Sequence, residues 1–284
     1  MEHILEIEQL RKSYPNSSFE LKNISFSVPY GSIVGFIGEN GAGKTTTMGT
    51  IIGGLKKDSG YIKVLGEEID DHEIENRENI GVVFDDMSFA GNLDVHKLSK
   101  VMRNIYQQWK DEKFFYYIRK FSLPKNQKIK SFSRGMSMKL SIAVALSHEP
   151  KLLILDEATS GLDPVVREEI LDVFLEFVKD KKHSILLSSH IISDIQKAAD
   201  QLVFIKKGEI ILTVDKEKLL NNYGIVTCEK SEFYTLDKSD IVTYKQSGEY
   251  VEVLVSNKNS IPAGLTAKSF SIDDITMLLL KGEK

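Results

Sequence analysis

The segment Gly38-Glu39-Asn40-Gly41-Ala42-Gly43-Lys44-Thr45 constrains this chain more than any other feature. It fits the pattern G-x-x-x-x-G-K-[ST] of a phosphate-binding loop. Glycines let successive backbone N–H groups turn inward around an anion with no Cβ in the way. A helix opening at the end of the loop aims the positive end of its dipole at the same anion. Lys44 is suited to carry charge to the terminal phosphates and the Thr45 hydroxyl to reach Mg2+, with Thr46 beside them. Such a loop needs a strand before it and a helix after it. Residues 32–37, Ser-Ile-Val-Gly-Phe-Ile, read as a buried strand, and a helix is expected from about Gly43.

The surrounding pattern supplies a matching sheet. Residues 3–10 and 19–28 alternate apolar and polar around a Pro15–Ser18 turn, as half-buried strands do. Further strands are expected over 60–65, 80–84, 151–155 and 184–188. Helices are expected after Pro164 and over 191–199, and a hairpin around Lys206-Lys207-Gly208. Strands alternating with helices imply an α/β fold wound with right-handed crossovers. From about Asp215 short strands and polar turns take over, ending in a helix over Ile272–Leu280. The expected division is a nucleotide-binding domain over 1–215, with a helical subdomain over about 86–150, and a small α+β accessory domain over 216–284.

A second chemical signal is Leu152-Leu153-Ile154-Leu155-Asp156-Glu157, two carboxylates at the carboxyl end of an apolar strand. Open α/β sheets bind ligands at that edge. Asp156 is suited to hold Mg2+, and Glu157 to orient attacking water or take its proton.

Charge and composition narrow the partners. Lys and Arg number 37 and Asp and Glu 41, a net charge of −4, so bulk charge gives no footprint for nucleic acid. One cysteine, Cys228, allows no intrachain disulfide. The acidic N-terminus does not read as a signal peptide. Apolar runs such as Leu152–Leu155 fall far short of the roughly 20 residues that span a bilayer.

Taken together, these motifs resemble an ATP-binding-cassette ATPase, the motor subunit of an ABC transporter, over about residues 3–215. The resemblance implies a P-loop ATPase fold with a mixed sheet core, an N-terminal antiparallel β subdomain and a helical subdomain. It implies ATP and Mg2+ as ligands, with Gly38 through Thr46 as the nucleotide cradle. Ser131-Phe132-Ser133-Arg134-Gly135-Met136 stands at the family signature, usually LSGGQ. There Ser133 and Gly135 would grip the γ-phosphate held by a second subunit, so that two cassettes, as homodimer or heterodimer, close around two ATP molecules. Ser160-Gly161-Leu162-Asp163 is similar to the D-loop, with Asp163 at the nucleotide interface. His190, in Ser188-Ser189-His190, is similar to the switch histidine that contacts the γ-phosphate. Tyr14 stands where the family stacks an aromatic on adenine. His3, His72, His96, His148 and His183 read as structural or solvent-facing.

Three residues depart from the family pattern, one of them Met136, which replaces the glutamine of the signature. Arg134 replaces a glycine of the signature, and reads either as an added cation near the phosphate or as a solvated helix-start residue. Asp85 replaces a glutamine that touches Mg2+ and water; its carboxylate could ligate the metal directly. It also adds negative charge beside a triphosphate. Downstream, Met87–Leu93 stands where the family docks the coupling helix of its membrane subunit.

A single P-loop argues against ribosome-acting tandem cassettes. The absence of sustained heptads between P-loop and acidic pair argues against chromosome and repair ATPases. The wording around the signature and His190 resembles bacterial exporter ATPases of the bacitracin, lantibiotic and phenol-soluble-modulin type. The expectation is a peptide or drug exporter motor at the cytoplasmic face, driving a separate integral membrane permease. An importer motor, or a cassette ATPase of non-transport use, is the alternative.

Overall fold

A computed structural model describes residues 2–69, 75–85 and 89–283. His72 and the Met87–Ser88 part of the expected docking loop lie outside these residues.

The chain opens with antiparallel strands β1 (His3–Ser13) and β2 (Glu20–Pro29). β3 (Ile33–Ile37) runs into the phosphate loop and α1 (Lys44–Ile51). β4 (Ser59–Val64) and the two-residue β5 (Glu67–Glu68) complete an antiparallel sheet of order β2-β1-β4-β5. After β6 (Ile80–Phe84) come three helices, α2 (Val95–Ile105), α3 (Asp111–Lys120) and α4 (Arg134–Leu146). The chain then alternates β7 (Leu152–Asp156), α5 (Pro164–Phe177), β8 (Ser184–Ser188) and α6 (Ile192–Ala198). The hairpin β9 (Gln201–Lys206) and β10 (Glu209–Asp215) follows.

The second sheet has order β10-β9-β3-β8-β7-β6, parallel except for β10. All five residues of β3, β7 and β8 are buried, because both faces of this sheet are covered. Alternate residues serve opposite cores. Ile33, Leu153, Leu155 and Leu187 face the helices, with Phe114, Leu140 and Phe174. Val34, Phe36, Ile154 and Leu186 face the antiparallel sheet, with Leu5, Phe26 and Met48.

Residues beyond Asp215 form α7 (Lys216–Asn222), β11 (Gly224–Glu229), α8 (Lys230–Phe233), β12 (Ile241–Ser247), β13 (Tyr250–Val255), β14 (Ala267–Lys268) and α9 (Ile272–Lys281). The strands make a third, antiparallel sheet, β12-β13-β11-β14. The short helices α7 and α8 were not expected from periodicity. Leu219 is the one buried residue of α7, and α8 buries none, so neither has an apolar stripe to read. The third sheet has a small core of its own around Val226, Val251 and Val253. Ile225, Leu254, Ile275, Leu278 and Leu279 instead join the large core shared with β9 and α6. Lys206 reinforces that junction, donating to the carbonyls of Gly282 (2.8 Å) and Leu279 (3.4 Å). A reciprocal capping box, Ser271 with Asp274, starts α9.

Candidate nucleotide site

Strand register assembles the site. Phe36 of β3 pairs with Ser188 of β8, Ser188 with Asp156 of β7, and Asp156 with Phe84 of β6. The residues that follow, the phosphate loop, His190, Glu157 and Asp85, therefore emerge at one carboxyl edge of the sheet, where α/β folds hold ligands.

Gly43 has φ +116°, and a Cβ there would come within 2.7 Å of Leu21 Cδ2, so the loop closes on β2 only with glycine. No side chain caps α1 at Gly43, which leaves the first N–H groups of the helix for an anion. Gly38, Ala42 and Lys44 are buried, while Glu39, Asn40, Gly41 and Thr45 are exposed along the rim and Thr46 is half-buried. Lys44 donates through Nζ to the carbonyls of Gly38 (2.8 Å) and Glu39 (3.4 Å), and stands 3.6 Å from Glu157 Oε1.

Thr45 Oγ1 donates to Asp156 Oδ2 at 2.6 Å, and Ser188 Oγ donates to the other oxygen, Oδ1. A hydroxyl and one carboxylate of hard oxygens fit Mg2+, which keeps waters and substrate phosphates as its other ligands. Among the described residues no three His, Cys, Asp or Glu side chains gather into a metal cluster. An all-protein cage is thus not built here, and the donor set suits a metal that arrives with its phosphates.

Glu157 sits at φ +53°, left-handed for a residue with a side chain. Such strain costs about 1–3 kcal/mol and is characteristic of functional positions. It is held by the Glu157 N–H on the Ser188 carbonyl (3.1 Å) and the Ser160 N–H on the Glu157 carbonyl (3.0 Å). The Glu157 carboxylate splits its two oxygens. Oε2 meets His190 Nδ1 at 2.6 Å and accepts from the His190 N–H at 3.3 Å. Oε1 is buried with no hydrogen-bond partner. That oxygen carries no hydrogen bond and faces the Lys44 ammonium at 3.6 Å.

A cavity of about 300 Å³ over the loop is lined by Phe19, Asn40, Gly41, Gly43, Lys44, Thr45, Thr46 and Glu157. Phe19 is an aromatic wall that sequence reasoning missed. The signal was a second aromatic just past the turn that follows Tyr14. Tyr14 itself is half-buried and not among the lining residues; the Lys12 ammonium lies 5.3 Å from its ring centre. Ser188 was read only as a neighbour of His190, yet it fixes the Asp156 carboxylate.

The signature residues lie elsewhere. Ser133 is the N-cap of α4, its Oγ accepting the Met136 N–H at 3.2 Å, and neither Ser133 nor Gly135 lines the cavity. Asp163 caps α5, Oδ1 accepting the N–H groups of Val165 and Val166. Arg134 stands at the start of α4, half exposed to solvent. Its Nη2 donates to Asp85 Oδ1 at 2.5 Å. The remaining described histidines are structural or peripheral. His148 and His183 stack on Tyr106 and Phe177, His96 lies against Phe115, and His3 sits 3.7 Å from Glu6.

Known proteins match this geometry. The family model described as ABC transporter covers residues 21–160. The lantibiotic transport ATP-binding protein SrtF of Streptococcus pyogenes is 34% identical over 227 residues, spanning 77% of this chain and 96% of SrtF. The bacitracin transport ATP-binding protein BcrA of Bacillus licheniformis is 33% identical over 213 residues, 74% of this chain and 69% of BcrA. Among solved structures, an ATP-binding subunit of an ABC transporter superposes with a TM-score of 0.69 at 27% identity, over 76% of this chain and 91% of that one. The chain belongs to the ABC transporter family, as an ATP-binding and ATP-hydrolysing subunit.

Proposed function

We propose that this subunit, with Mg2+ and as a dimer with a second cassette, powers a separate integral membrane permease from the cytoplasmic face, exporting a peptide or drug. Its similarity to transport proteins named for lantibiotics and bacitracin supports that cargo class. No helix among the described residues is long and apolar enough to cross a membrane. A groove of about 650 Å³, with an apolar wall of Ile52, Ile80, Val82, Ile105 and Tyr106 and a polar one of Arg77, Glu78, Gln107 and Gln108, offers a seat for an amphipathic permease helix.

The observation that carries the hydrolytic reading is Glu157 Oε1, buried, free of hydrogen bonds and 3.6 Å from Lys44 Nζ. In this reading Lys44 turns from its two carbonyl acceptors to the terminal phosphates. Thr45 and Asp156 hold Mg2+, which supplies charge to the phosphate oxygens. Glu157 Oε1 takes the proton of the attacking water, while His190 holds Oε2 and faces the γ-phosphate. Ser133 and Gly135, outside the cavity of their own chain, meet the phosphate of the second cassette, with Asp163 and its loop beside them.

Glu157→Gln keeps the shape of the carboxylate and removes the base. It should lower hydrolysis by about 10²–10⁴-fold while trapping an ATP-bound dimer on size exclusion. A variant that hydrolyses at the wild-type rate would remove Glu157 from this role.

A further inference from the structure

Two of the three positions where this chain departs from the family pattern touch each other. Asp85 follows β6, whose last residue Phe84 pairs with Asp156, so it belongs to the edge that carries this chain's own phosphate loop. Arg134 is the first residue of α4, between Ser133 and Gly135. Its guanidinium reaches Asp85 at 2.5 Å.

A third element meets them. Gly161, at φ +66°, would place a Cβ 2.8 Å from Arg134 Cζ and 2.9 Å from Arg134 Nη1. The guanidinium therefore lies against the backbone of the Ser160–Asp163 loop, in space that any side chain at 161 would take. A Cβ at Gly135 would meet Val166 and Leu162 at ordinary contact distances of 3.7–3.9 Å, so the start of α4 and that loop pack as one surface.

A cation at the first position of a helix is locally unfavourable, because the helix dipole already presents positive charge there. A lone aspartate beside a triphosphate site is unfavourable for the opposite reason. Each charge answers the other. The pair is also half exposed, 53% for Arg134 and 46% for Asp85, so solvent screens it and it is weak enough to break and re-form.

We infer that Asp85 and Arg134 form a latch joining the edge of this chain's own nucleotide site to the Ser133–Gly135 and Ser160–Asp163 surface, with Arg134 as a positioning residue. The inference rests on the dimer reading above, in which that surface serves the second nucleotide. Through the latch, the state of one site sets the placement of the α4 N-terminus at the other. Arg134 acts on Ser133 and Gly135 by holding their helix, not by touching phosphate.

The test is a charge-swap series on the full chain, D85N, R134Q and D85R/R134D, each assayed for Mg2+-ATP hydrolysis with melting temperature in parallel. Each single variant should lower kcat by about fivefold, the most an exposed ion pair supports, with ATP KM within about twofold of wild type. The swapped pair should recover most of the lost kcat. Single variants at the wild-type rate would overturn the latch. So would a swapped variant as slow as R134Q with an unchanged melting temperature, since that result would assign Arg134 to direct phosphate contact. A wild-type chain that does not hydrolyse ATP would overturn the functional reading and this inference with it, whereas unaltered variants of an active chain overturn the latch alone.

Discussion

The Thr45 hydroxyl at the start of α1 donates to Asp156 Oδ2 at the end of β7 across 2.6 Å, joining residues 111 positions apart in the chain. The same carboxylate accepts from Ser188 of β8, so three elements converge on one pair of oxygens. Asp156→Asn keeps the size but replaces an anionic oxygen by an amide. ATPase activity should fall by at least about 100-fold, with the Mg2+ concentration for half-maximal rate shifted upward. Titration of activity against Mg2+ checks this, and an unmoved midpoint would argue against Asp156 as the metal ligand.

His190 braces the Glu157 oxygen that faces away from Lys44. His190→Ala should lower kcat by about 100-fold through misplacement of the carboxylate, with nucleotide affinity little changed. Single-turnover hydrolysis with a separate binding titration distinguishes the two terms. Loss of affinity in place of rate would contradict the assignment.

Phe19 lines the cavity over the phosphate loop and Tyr14 does not. If a base stacks there, Phe19→Ala should weaken binding of a fluorescent ATP analogue by about 1 kcal/mol or more, and Phe19→Leu by less. Tyr14→Ala should have the smaller effect of the two alanine variants. Equal affinities across the series would place the base elsewhere.

Burial holds the pKa of His148 below its ordinary 6.5; the Glu78 carbonyl at 2.9 Å and the Glu78 charge pull it back up, and Lys113 adds to the lowering. The pKa of His183 is lowered by burial as well. A histidine buried in its neutral form takes up its proton more readily in the unfolded chain. Its contribution is therefore present above pH 6.5 and lost as pH falls from there toward the lower folded pKa. Unfolding free energy should decline on that acid side by up to about 1.4 kcal/mol per pH unit for each such group. His148→Asn should flatten part of the decline, leaving the His183 share. An identical pH slope in denaturant melts would exclude His148 as its source.

Ile275 of α9 is fully buried in the core that also holds Leu202 and Ile195. Ile275→Ala should cost about 2–5 kcal/mol. Because that core is shared with the nucleotide-binding part, calorimetry should show the loss in its transition as well. A variant that melts in two steps, with the ATP-binding step unmoved, would establish residues 216–284 as an independent domain.

Much of the site could be read before any coordinates. The phosphate loop and the acidic pair are local: a few contiguous residues carry the whole chemical requirement, and a strand on one side or a helix on the other follows from short-range periodicity. Phe19 was harder, since its role comes from the β1–β2 turn folding over a loop formed by later residues. The short helices α7 and α8 left no periodic trace.

The sequence alone determined the class of chemistry, because backbone-cradled phosphate, a lysine and a strand-end carboxylate need particular residue types at particular spacings. It also marked Asp85 and Arg134 as departures from pattern, each with a charge that lacked an explanation. Their meeting was decided only by tertiary structure. The two residues are 49 positions apart, on a strand end and a helix start, and no local rule pairs them. The same holds for the Glu157 carboxylate: its residue type was legible, but one oxygen braced by His190 and the other turned to Lys44 without a hydrogen bond is a consequence of β3, β8 and β7 aligned in register.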